Sequence, residues 1–306
     1  MLKTETPARV SSRPFARFAW AVLAYNLAVI LWGAFVRISG SGAGCGNHWP
    51  LCGENLSPTF DTLAKMIEFL HRATSGIDLV LVGVLLVWAF RAFPRGHMAR
   101  LGAKLSTLFL LIEAVLGAFL VLLEHVAKDQ SAARGSWDAA HLMNTLTLVA
   151  CLTLTAWWGG GKPAVRLRGR EAWIAGATLV SVMLLGATGV IAALADTLFP
   201  APSLAAGLAQ DFDPAANIFL RLRGLHPVLA AGVGTWLFVF AAGAIRLPTA
   251  RRAARAVIAL ASAQLALGLL NLLLLAPVWL QMLHLLAADG LWIALVLLCA
   301  AILAES

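Results

Sequence analysis

Four histidines stand inside or at the edges of long apolar runs: His71 in EFLHRATSGID, His141 in AAHLMN, His226 in GLHP and His284 in QMLHLL. An imidazole in a hydrocarbon setting is costly, so it either bonds a neighbouring helix or holds a functional group. Each lies near the start of an even-numbered run, at similar depth, which makes two pairs on parallel helices. Facing imidazoles in a helix bundle suit an iron ligated from both sides, and the pairing favours haem over four separate structural hydrogen bonds. Glu68 precedes His71 by one turn, and Arg72 follows it. A carboxylate there can accept a proton or stabilise developing positive charge; equally, it can pair with Arg72 at i,i+4 or orient His71. In the second pair the residue three before His226 is Arg223, so one site has an acid where the other has a base. That asymmetry suits one haem that is acted on and one that is kept, with Arg221 or Arg223 near propionates of the second. Arg37 and Arg72 are the propionate candidates of the first, with an interfacial anchor the competing role for Arg37. His48, His97 and His125 read as solvated or interfacial. Asp78, Glu113, Asn144, Asn271 and Asp289 read as interhelical hydrogen-bonding groups, with Glu113 and Asp78 also placed for a proton path.

The elements that carry these residues must cross a membrane. Of 306 residues, 60% are hydrophobic and 12% charged, well outside the range of soluble domains. Runs of the roughly 20 residues needed to span a bilayer centre on 17–37, 64–90, 104–124, 139–158, 172–195, 219–245, 255–276 and 279–303. The formal charge of +8 is distributed by side rather than spread as a nucleic-acid surface. Lys3, Arg9, Arg13 and Arg17 precede the first run, and Arg91, Arg95, Arg100 and Lys104 separate the second from the third. Lys162, Arg166, Arg168 and Arg170 separate the fourth from the fifth, and Arg246, Arg251, Arg252 and Arg255 the sixth from the seventh. The positive-inside rule then predicts both termini in the cytoplasm and the histidines toward the outer face. The N-terminal segment is not expected to be a cleaved signal, because the first run is long and no small-residue cleavage site follows it.

Of four cysteines, Cys151 and Cys299 fall within apolar runs as small packing residues, while Cys45 and Cys52 lie in the first outer loop. Facing an oxidising compartment, that pair suits either a loop staple or a redox-active couple; with His48 alone nearby, zinc is disfavoured. The two halves of the chain also echo each other. Trp32-Gly33-Ala34 answers Leu185-Gly186-Ala187, and Glu113 with Gly117 answers Gln264 with Gly268. His71 answers His226, and His141-Leu142 answers His284-Leu285. The expectation is an all-α integral membrane protein of eight helices, built as two pseudo-symmetric four-helix bundles, residues 1–160 and 161–306, in one membrane orientation.

VRISGSGAGCGNHWPLC, EFLHR, AAHLMN, the LHP histidine and the LGLLN…P…LHLL stretch together resemble the haem A synthase family, across essentially all eight spans. That resemblance implies oxidation of the C8 methyl of haem O to the formyl of haem A by successive hydroxylation. It implies that His71 and His141 flank the substrate haem, that His226 and His284 ligate a haem b cofactor, and that Glu68 is the catalytic acid. Cys45 and Cys52 match an outer-loop pair that forms a disulfide in one branch of the family. Pro227, where Arg often follows the third histidine, and Glu113, where Gln is expected, depart from the pattern. Two routes fit: hydrogen abstraction from the methyl, or electron loss through the second haem with water adding to a carbocation that Glu68 stabilises. The expected partners are haem O, the lipid of the cell membrane, a haem O synthase, an electron acceptor and a further copy of the chain, but not nucleic acid. A dihaem b-type electron carrier that leaves its haem unaltered is the rival reading, and Glu68 weighs against it. A transporter relaying protons through the histidines ranks below both, since the prolines sit at span ends.

Overall fold

The structure is a computed structural model that describes residues 12–53 and 59–305. Lys3 and Arg9 of the basic N-terminal segment lie outside the described residues, as does the start of the segment read above as no cleaved signal. Among those described there are ten α-helices, a short 3₁₀ turn at Ser41–Ala43, and no strands. Eight spans are long and apolar enough to cross a membrane. They are α1 (Arg13–Ile38), α2 (Leu63–Ala92), α3 (Met98–Leu122), α4 (Ala132–Gly159), α5 (Gly169–Leu198), α7 (Ile218–Arg223) running into α8 (Leu225–Ala244), α9 (Arg251–Leu273) and α10 (Val278–Glu305). The short helix α6 (Leu204–Asp211) lies between α5 and α7.

Local chemistry sets where these helices begin. Ser12, Thr62, Ser131, Ser203 and Asn217 each accept a backbone N–H of the first turn through the side chain, and His97 does the same for α3. Pro14 stands in the first turn of α1, where its missing N–H costs nothing. α3 therefore starts six residues before its apolar run, and its first turns cover the ring of Phe90 with the Arg100 guanidinium, 4.1 Å from the centroid, and the Lys104 ammonium at 5.3 Å. The sixth span is not one rod. It is broken at Gly224, the residue immediately before α8 and two before His226.

In the N-terminal half, α1 packs on α2, α2 on α3, α3 on α4, and α4 returns to α1; in the C-terminal half α5, α8, α9 and α10 close a second ring. α4 and α10 are the most buried spans, with 56% of the apolar window covered against 33% or less for the others, so they form the centre of the molecule. α10 packs on α4, α1 and α5, and Trp292 donates its indole N–H to the carbonyl of Leu146 at 2.7 Å across that seam. The remaining spans leave much of their apolar surface exposed, as helices do when lipid supplies the outer contact.

Close helix approach depends on small residues. A Cβ on Gly102 of α3 would stand 2.4 Å from Thr155 Oγ1 of α4, and one on Gly159 would stand 2.5 Å from the ring of Phe15. At the end opposite the histidines the backbone closes each half on itself: Ser12 donates to the carbonyl of Gly159 (3.0 Å) in the first, and Arg166 to that of Leu303 (2.9 Å) in the second.

Candidate functional site

Each of the four histidine rings rests against a glycine of the preceding span. A Cβ built on Gly33 of α1 would lie 2.9 Å from Cε1 of His71, and one on Gly189 of α5 would lie 3.0 Å from Cε1 of His226. From Gly268 of α9 the distance to His284 Cε1 is 3.3 Å, and from Gly117 of α3 to His141 Cε1 it is 3.5 Å. Glycine lets each imidazole lie directly on a helix backbone, a contact that any larger residue at the first two positions would push apart. The match of Gly33 with Gly186 therefore slips by one turn: Gly186 meets Leu142 at 3.2 Å, and Gly189 takes the ring. α5 carries small residues at 186, 187 and 189, so a short apolar match cannot distinguish these registers.

The rings form two pairs. His71 and His141 lie within electrostatic reach of each other, as do His226 and His284. Nδ1 of His226 faces Thr188 Oγ1 at 3.1 Å, Nε2 of His284 faces Gln264 Nε2 at 3.2 Å, and Nε2 of His141 faces Glu113 Oε1 at 3.2 Å. Nδ1 of His71, His141 and His284 is buried with no hydrogen-bond partner. Such a nitrogen is costly unless something else takes its lone pair or its proton. Among the described residues no three His, Cys, Asp or Glu side chains converge as a chelating cluster. Pairs of imidazoles with unfilled nitrogens instead fit a metal that brings its equatorial ligands with it, which is the haem geometry.

Glu68 is 3% exposed and fully engaged. Its Oε2 accepts the N–H of Cys45 at 2.8 Å, and its Oε1 accepts Nη2 of Arg72 at 2.5 Å. The other terminal nitrogen of Arg72 donates to the carbonyls of His48 (2.6 Å), Leu51 (2.7 Å) and Pro50 (3.4 Å). Cys45 and Cys52 form a disulfide with Cα atoms 4.7 Å apart, so the bond is made and the loop it closes is pinned to α2 through Glu68 and Arg72. Gly44 makes this seating possible, since a Cβ there would stand 2.5 Å from the backbone of Ala64 and Lys65.

The remaining arginines are placed as follows. Arg223 donates to Asp211 (Nε, 2.9 Å), to Asp196 (Nη1, 3.0 Å) and to the carbonyl of Gly207 (Nη2, 3.0 Å), which fixes α6 and the end of α5 over the start of the sixth span. Arg37 donates to Thr197 Oγ1 at 3.4 Å, tying the end of α1 to that of α5, and Arg221 is exposed. The sequence pointed to neither Asp196 nor Asp211 as a partner of Arg223, because only the fold brings residues 12 to 27 positions apart together. Of the other histidines, His48 bonds the carbonyl of Cys45, His97 caps α3 and stacks on Phe93, and His125 bonds Asp129 at 2.8 Å. Asp78 accepts Asn26 Nδ2 at 2.6 Å, and Glu113 accepts Asn144 at 2.5 Å and the Thr145 hydroxyl, the interhelical bonding expected of them.

Residues 16–296 match the family described as cytochrome oxidase assembly protein. The chain is 43% identical, over 271 residues and 86% of its length, to a protoheme IX farnesyltransferase of Thermus thermophilus, of which the match covers 44%. It is 36% identical over 110 residues to the heme A synthase of an Exiguobacterium species, and 37% over 105 residues to that of Geobacillus kaustophilus; these stretches are 36% and 34% of this chain and 36% and 33% of those proteins. The chain thus spans less than half the length of the curated relatives it matches. Eight apolar spans and a family match over nearly the whole sequence lead to one assignment: the chain belongs to the haem A synthase family of cytochrome oxidase assembly proteins.

Proposed function

We propose that this protein oxidises the C8 methyl group of haem O to the formyl group of haem A, with the substrate between His71 and His141 and a permanent haem b between His226 and His284. The observation that carries the reading is the set of two buried imidazole pairs, each ring seated on a glycine and three with an unfilled nitrogen, only one pair having a buried carboxylate one turn away. Residues 1–160 would be the substrate half and 161–306 the cofactor half, in a multi-pass protein of the cell membrane with both sites toward the outer face.

Bound haem supplies the oxidising chemistry, and the chain supplies ligation, placement and charge control. Taking a methyl to a formyl adds the oxygen of one water and releases four electrons and four protons, so an electron acceptor is required. Glu68, held by Arg72 and the Cys45 N–H, would accept a proton beside His71 or stabilise positive charge at the reacting carbon. Surrounding apolar helices exclude bulk water and strengthen that electrostatic effect. Arg37, whose hydrogen bond to Thr197 is long, is the arginine best able to turn to a propionate of the substrate; Arg221 is the exposed one in the second half, whereas Arg72 and Arg223 would serve a propionate only by giving up present partners. A partner that farnesylates protohaem is supported by the Thermus relative, which carries a similar sequence within a longer protein bearing that enzyme's name.

One observation favours the electron-carrier reading: both oxygens of Glu68 are already bonded, as a purely structural carboxylate would be. Extracting and chromatographing the haems of cells that make haem O separates the two readings. Haem A or its hydroxylated intermediate appearing with the intact protein and vanishing in Glu68→Ala supports the synthase. Unchanged haem O together with a protein that purifies with two haems b supports the carrier.

A further inference from the structure

The two haem sites differ in what stands behind one imidazole. Glu113 on α3 lies four residues before Gly117, the glycine against His141; Gln264 on α9 lies four residues before Gly268, the glycine against His284. Both side chains reach the Nε2 atom of their histidine at 3.2 Å. The positions correspond in space, but one holds a carboxylate and the other an amide.

We propose that Glu113 is a positioning residue that makes His141 a more electron-rich ligand than His284, and so gives the first site a lower reduction potential than an amide there would give it. The proposal rests on the haem reading above. Three side chains converge on Glu113: Asn144 through Nδ2 at 2.5 Å, Thr145 through its hydroxyl, and His141 through Nε2. Asn144 also fixes the carboxylate in place, because its second amide hydrogen goes to the carbonyl of Phe109, which closes the cluster between α3 and α4. A carboxylate accepts from all three, so His141 presents Nε2–H to it and keeps Nδ1, buried and unpaired, as its free lone pair. Hydrogen bonding of a ligand imidazole to a carboxylate raises its basicity and fixes its orientation, which stabilises the oxidised metal. Gln264 can orient His284 but brings no charge, and its Oε1 is itself buried without a partner.

The arrangement has a chemical use. A substrate haem that must lose electrons is easier to oxidise when its ligand field is richer, while a haem that receives and passes on those electrons works at a higher potential.

The test is redox titration of the haem-loaded full-length protein, followed in the visible spectrum, for the intact chain, Glu113→Gln and Gln264→Glu. The expected result is a rise in the midpoint of one haem in Glu113→Gln, with the second haem unmoved, and a fall in the midpoint of the other haem in Gln264→Glu. Unchanged midpoints in Glu113→Gln with both haems retained overturn the proposal and leave the haem reading standing. If Glu113→Gln fails to fold, an unchanged midpoint in Gln264→Glu overturns it instead. If the intact protein takes up no haem at all, it is the haem reading that fails.

Discussion

Behind the His71 ring there is no space for a methyl group, and this makes Gly33 the most informative single position in the N-terminal half. A Cβ there would stand 2.9 Å from the ring and 3.1 Å from Nε2, so an alanine must displace the imidazole or part α1 from α2. Gly76, on the same helix as His71, has nothing within 4 Å of its would-be Cβ. Gly33→Ala is expected to lose about half the haem per protein, that of the His71–His141 pair, while Gly76→Ala keeps it and gains slightly in helix stability, by up to about 1 kcal/mol. Pyridine haemochrome content against protein concentration reads both; equal haem in the two variants would count against the glycine seat. The four histidines and Glu68 were legible at this scale, because an ionisable residue in an apolar run is conspicuous. The glycines beneath them were not, since α1 and α5 are rich in small residues and nothing local marks which one meets a ring.

At the scale of elements, the loop from α3 to α4 shows how a connection at the histidine end is held in place without secondary structure. Arg134, 2% exposed, donates Nη1 to the carbonyls of Ala127 (2.7 Å) and Asp129 (2.8 Å), and Asp129 accepts from His125, from the Ser131 N–H and from the Ser131 hydroxyl. Burial alone would raise the Asp129 carboxyl, but the hydrogen bonds outweigh it and hold the group below its ordinary 3.8. A folded value lower than the unfolded one contributes stability that is complete above about pH 3.8 and drains away as pH falls through the folded value. Hydrogen exchange in residues 123–131 should therefore accelerate on acidification below that range in the intact protein. In Asp129→Asn it should already be fast at neutral pH and change little, and a parallel acid response in the two proteins would contradict the assignment. All eight spans were legible in the sequence to within a few residues at most ends, because hydrocarbon thickness imposes a length that polar connections cannot imitate. The misses have local causes. α4 begins at Ala132, seven residues before its apolar run, because Ser131 caps it and the buried Arg134 lies in its first turn. The stretch 196–218, between the fifth and sixth apolar runs, holds α6 and the start of the sixth span, both organised around Arg223 by partners that only the fold assembles.

For the whole molecule, the arrangement of basic residues makes a prediction about sidedness. Reporter fusions active only outside the cytoplasm should work when joined after Ser131 or Asp213, in the connections at the histidine end, and fail after Gly161 or Pro248, in those at the other end. The reverse pattern would put the histidines on the cytoplasmic side and sink the reading of an outward-facing site. The seam between the halves, made by α1, α4, α5 and α10, could not be derived from periodicity, because helices that face lipid and helices that face protein are equally apolar. The seating of each imidazole on a neighbouring backbone also has an entropic consequence. A histidine free in a wide cavity would have to surrender its rotamers when it captured a cofactor, and that loss would be subtracted from the affinity. Here each ring is confined against a helix backbone when the chain folds, so much of the ordering cost is met in the stability of the helix bundle, and on the proposed reading a haem entering between them would meet imidazoles with little freedom left to lose.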